Sequence, residues 1–192
     1  MSPQHGAPLL LPAAMPASVS ALSRLLRSAS VVGVSGSRSA APGCVRAITW
    51  AVRQFAPGAS VVTGCMSGID QVARQLAPSA LVLHAASFGR GRGRFARRST
   101  AVVRRVAASG PSALWVSAPG RACPAGLVPS ASSSACFAGF GSGSWASLAL
   151  ALGLGVRALV WLPVSITPPP SWGLGLVCAG RAGAWWGTPN MA

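Results

Sequence analysis

Along the chain, short runs of branched apolar residues alternate with longer stretches in which apolar positions recur at helical spacing. SVVGVSG (30–36), ASVVTG (59–64), ALVLHA (80–85), SALWVSAPG (112–120) and RALVWLP (157–163) are compact apolar runs, most of them closed by Gly, Ser or Pro. They read as buried strands. Between them, GCVRAITWAVRQF after Pro42, SGIDQVARQLA (67–77), STAVVRRVAAS (99–109) and SGSWASLALALG (142–153) read as helices, the first two closed by Pro57-Gly58 and Pro78. In STAVVRRVAAS the spacing buries Val102, Val103 and Val106 and turns Arg104 and Arg105 outward. The segment GRGRGRFARRS (89–99) reads as a loop too rich in Gly and Arg to pack.

Strands alternating with helices predict a Rossmann-like, doubly wound α/β domain with a mainly parallel sheet and helices on both faces. Strands covered on both sides explain why the apolar runs do not alternate with polar residues. The domain is expected over residues 28–165, after a flexible Pro- and Ala-rich leader at 1–27. Residues 166–192 form a Pro/Gly/Trp-rich tail able to fold back as a hairpin.

Composition narrows the chemistry. Charged residues make up only 9% of the chain, the formal net charge is +15, and every basic residue is Arg. The guanidinium fork pairs bidentately with phosphate oxygens and never deprotonates, which suits a phosphate-bearing partner. A coding sequence rich in G and C would produce the same excess of Arg, Ala, Gly and Pro, so charge alone does not decide. The five cysteines, Cys44, Cys65, Cys123, Cys136 and Cys178, form no C-x-x-C pair, and His5 and His84 are the only histidines. No metal site is expected. Reduced thiols, no membrane span and a cytoplasmic location are the expectation. Trp50, Trp115 and Trp161 fall in core-like elements and are assigned to packing.

Asp70 is the only acidic residue in the chain. At the start of a predicted helix it suits a capping box, with Ser67 at the N-cap bonding the Asp70 amide and the Asp70 carboxylate reaching back to the Ser67 amide. A negative charge there also meets the positive end of the helix dipole. The functional alternative is a hydrogen bond from a nucleotide's ribose or base to Asp70. With no second carboxylate, acid–base catalysis is the least favoured role. Cys65 and Ser67 have no adjacent base to activate them as nucleophiles.

Ligands of open parallel sheets bind beyond the carboxyl ends of the strands. Here Gly36-Ser37-Arg38, Thr63-Gly64 and Ser87 to Arg94 each follow a strand, and Gly139 to Ser144 precede the last long helix. Glycines let backbone amides approach a ligand, and a helix N-terminus favours an anion. In this order, VVGVSGSRS, VVTGCMSGIDQVAR, RFARRSTAVV and GSGSWASLALALGLGVRALVWLP resemble the DprA/Smf DNA-processing family of the wider SLOG group. The resemblance covers most of residues 30–163. It implies a site made by Gly36, Ser37, Arg38, Gly64, Ser67, Gly68, Asp70, Arg97, Arg98, Ser142, Gly143 and Ser144, holding a nucleotide or single-stranded nucleic acid. No cofactor is expected, and a homo-oligomer is left open. The phosphoribohydrolase branch of SLOG carries a glutamate where this chain has Ser147, so a hydrolase of that kind lacks its carboxylate. The expected function is therefore a non-enzymatic binding domain, with a small-nucleotide sensor as the alternative.

Overall fold

The computed structural model describes residues 19–189. Its centre is a seven-stranded sheet made of β1 (Val31–Gly36), β2 (Ser60–Gly64), β3 (Leu81–Leu83), β4 (Ala113–Ala118), β5 (Arg157–Pro163), β6 (Gly175–Gly180) and β7 (Gly183–Gly187). The strand order is β3-β2-β1-β4-β5-β7-β6. The first five strands pair in parallel, and the β6–β7 hairpin adds to β5 antiparallel. This is the Rossmann-like α/β architecture expected from the alternation of elements, extended by two strands built from the Trp-rich tail.

Helices α1 (Val19–Ser28), α2 (Pro42–Val52) and α3 (Ile69–Leu76) pack on one face. Their Leu22, Leu25, Leu26, Cys44, Ile48, Ile69 and Ala73 meet Val32, Val34, Leu114, Val116 and Leu159 of the strands. On the other face, α4 (Gly93–Ala107) and α6 (Gly143–Gly153) bury Val102, Val103, Val106, Trp145 and Leu148 against Val62, Trp115, Ala158 and Val160. Leu114 and Trp115 belong to opposite cores, as strand pleating requires. Trp145 and Trp172 meet edge to face at 5.4 Å and close the second core near the tail. Among the described residues, no helix is long and apolar enough to cross a membrane.

Two expectations change. Residues 1–18 of the expected leader lie outside the described residues, but its last part is helix α1, whose Leu22, Leu25 and Leu26 are buried. An i, i+3, i+4 apolar stripe gives this segment a core to join despite its alanine-rich surroundings. The arginine-rich loop expected at 89–99 ends early, because α4 already begins at Gly93. Arg is a good helix former, and within this stretch Phe95 and Arg98 turn inward while Arg97 faces out.

Candidate functional site

The strand order reverses direction between β1 and β4, the innermost parallel pair. The loop after β1 leads to α2 on one face, and the loop after β4 leads through the short helix α5 (Ser133–Cys136) to α6 on the other. Loops diverging in this way leave a crevice at the carboxyl ends of the strands. A cavity of about 330 Å³ occupies it. Gly36, Ser37 and Arg38 line it from β1, Gly120 and Arg121 from β4, and Ser142, Gly143 and Ser144 from the start of α6. Gly64, Asp70 and Arg98 lie in its lining from the β2–α3 side and α4. Aromatic walls come from Phe95, Trp115, Phe137 and Phe140.

At the floor, Arg98 Nη1 donates to Asp70 Oδ2 at 2.9 Å, and both residues are buried, at 7% and 5% exposure. Gly64 makes this pairing sterically feasible: a Cβ at that position would meet the Arg98 guanidinium and the Asp70 carboxylate. The Met66 amide donates to the same Asp70 oxygen at 3.3 Å. Arg74 donates to the carbonyls of Gly64 and Met66 at 2.7 and 3.0 Å, fixing the turn that presents Asp70. Burial pushes the Asp70 carboxyl above its usual range, against the pull of Arg98, the Met66 amide and Arg74. A buried pair of this kind contributes little net stability but is costly to break from one side.

This arrangement replaces the expected capping box. Gly68, not Ser67, is the N-cap of α3, and no side chain caps the helix. The Ser67 hydroxyl instead donates to the Arg38 carbonyl at 3.5 Å. The cause lies at Gly68, whose φ of 71° belongs to the left-handed region. There the backbone presses so closely on the carbonyls of Ser37 and Arg38 that a Cβ would collide with them. Ser67 is thereby carried out of the first turn, and the Asp70 carboxylate turns inward to Arg98.

The rim is built differently. The Ser37 amide donates to the Ala118 carbonyl at 3.0 Å, and the Ile69 amide donates to the Ser37 carbonyl at 3.1 Å, so the backbone bearing Arg38 is pinned from both sides. Across the cavity, Trp145 Nε1 donates to the Arg121 carbonyl at 2.8 Å, which ties the second rim arginine to the first turn of α6. Arg38 and Arg121 are exposed, and among the described residues no carboxylate pairs with either. Ser142 and Ser144 hydroxyls lie 3.4 Å apart at the helix start. An arrangement with two unpaired guanidiniums and a helix N-terminus at one mouth favours an anion.

Of the residues expected to form the site, Gly36, Ser37, Arg38, Gly64, Asp70, Arg98, Ser142, Gly143 and Ser144 come together in the lining. Ser67, Gly68 and Arg97 do not. Ser67 and Gly68 support the Arg38 backbone from behind, and exposed Arg97 donates through Nε to the Phe88 carbonyl at 2.7 Å. Arg121 and the aromatic walls escaped the sequence reading. Yet SAPGR, ending at Arg121, repeats the strand–glycine–arginine order of VSGSR, ending at Arg38, and that repetition was the available signal.

Little in the cavity suits covalent chemistry. Ser147, also in the lining, donates to the Gly143 carbonyl one turn back at 2.8 Å. Burial pushes the Cys136 thiol up, so it stays protonated at neutral pH and is a poor nucleophile. Among the described residues, no group of three or more His, Cys, Asp or Glu is placed to hold a metal ion. Comparisons with protein-family models, with curated proteins and with solved structures return no match.

Proposed function

We propose that the chain is a non-enzymatic binding domain that holds a nucleotide or single-stranded nucleic acid in the crevice between β1 and β4. The observation that carries this reading is the meeting of Arg38, Arg121 and the N-terminus of α6 around one cavity of about 330 Å³. Phosphate would lie against the rim arginines and the α6 amides. The half-buried rings of Phe95, Phe137 and Phe140 offer faces on which a base could stack. The resemblance to the DprA/Smf family points to the same edge of the sheet and the same class of ligand. With the one acidic side chain of the sequence, Asp70, paired to Arg98, a role in binding is better supported than one in bond cleavage.

Fluorescence-anisotropy titration of a labelled single-stranded oligonucleotide, with unlabelled nucleotides as competitors, tests this. The expected result is saturable binding that weakens steeply with salt and is competed by nucleotides. Binding indifferent to salt, or no binding of either ligand, would overturn the proposal.

A further inference from the structure

The charges lining the cavity define the phosphate it fits. Three guanidiniums, of Arg38, Arg98 and Arg121, face a single carboxylate, that of Asp70, leaving a net charge of +2 in the lining. Asp70 is committed to Arg98 at 2.9 Å, so the uncompensated charge sits at the rim on Arg38 and Arg121. No other acidic residue exists in the chain to neutralise them. A phosphodiester brings one negative charge to such a site. A terminal phosphate monoester brings about 1.5 to 2 at pH 7, with three strong acceptor oxygens.

The cavity, at about 330 Å³, lies at the small end of ligand sites, roughly 300–1,000 Å³. A site of that size suits one nucleotide unit.

We infer that the site selects a terminal phosphate monoester, whether of a mononucleotide or of a phosphorylated strand end, over a phosphodiester. The inference rests on the nucleotide-binding reading above and specifies its ligand. Isothermal titration calorimetry of the full chain with each of the four nucleoside 5′-monophosphates, against its 3′,5′-cyclic form, tests it. A 5′-phosphorylated trinucleotide against its 5′-hydroxyl form distinguishes a strand end from a free nucleotide. The monophosphate of the preferred base binds about tenfold tighter than its cyclic form, the worth of one charge-assisted hydrogen bond. Arg38→Ala with Arg121→Ala abolishes that preference, while Arg97→Ala, outside the cavity, retains it. Cyclic forms binding as tightly as monophosphates, or a preference that persists without both rim arginines, overturns the inference and leaves the binding reading intact. No binding by any of these compounds overturns the inference, and if the longer single-stranded oligonucleotide fails to bind as well, the binding reading falls with it.

Discussion

The floor and the rim of the cavity use the same residue type for opposite ends. At the floor, Arg98 is buried and paired with Asp70 at 2.9 Å. At the rim, Arg38 and Arg121 are exposed, with their backbones pinned and their guanidiniums unpaired. A buried cation without its partner is expensive, so Asp70 is needed for as long as Arg98 is kept. An exposed cation costs almost nothing to keep and is available to a ligand. Residue type and place in the sequence do not separate these roles; burial and partner do.

The sharpest way to break this contrast is to remove one side of the floor pair. Asp70→Ala leaves the Arg98 guanidinium buried alone and is expected to cost about 3–5 kcal/mol in chemical denaturation. Replacing both partners, Asp70→Leu with Arg98→Met, recovers most of that loss, because the desolvation of two charges disappears with them. If the double variant proves as unstable as Asp70→Ala, the cost lies in shape rather than in an orphaned charge.

Smaller effects come next. Gly64→Ala inserts a Cβ where the Arg98 guanidinium lies, and a loss of about 1–3 kcal/mol is expected from overpacking. Trp145→Phe removes the hydrogen bond to the Arg121 carbonyl. It is expected to lower stability by about 1 kcal/mol and to weaken ligand binding, because the rim arginine loses its anchor. Arg38→Ala is expected to leave stability within about 0.5 kcal/mol while weakening binding. A melting temperature that falls with Arg38→Ala as far as with Asp70→Ala would erase the distinction between rim and floor.

Much of this is legible in the sequence, for identifiable reasons. RALVWLP at 157–163 matches β5 residue for residue, because an apolar run bounded by a turn has few alternatives. Arg38 and Ser142 were also legible, since Gly, Ser and Arg after a strand or before a helix carry a local signature. The Asp70–Arg98 pair was not, for its members lie 28 residues apart on different helices. Within α4, Arg98 shares the stripe of Val102 and Val106 while Arg97 falls on the side of Arg104 and Arg105, so one is buried and the other exposed, but that is legible only if the helix is extended back to Gly93. Helix α1 was hidden by the proline- and alanine-rich stretch before it, though its Leu spacing was present. The reversal of Ser67 from cap to support depends on how closely Gly68 meets the Ser37 carbonyl, a contact between separate loops.

The claim that the rim holds phosphate while the floor holds the fold is tested most directly by one paired measurement. Affinity for a 5′-phosphorylated single-stranded oligonucleotide is measured across a salt series for the wild type and for Arg38→Ala with Arg121→Ala, with melting curves on the same samples. Losing two phosphate contacts is expected to flatten the slope of log affinity against log salt by about 1.4, with the melting temperature unchanged. An unchanged slope in a properly folded double variant would contradict the account.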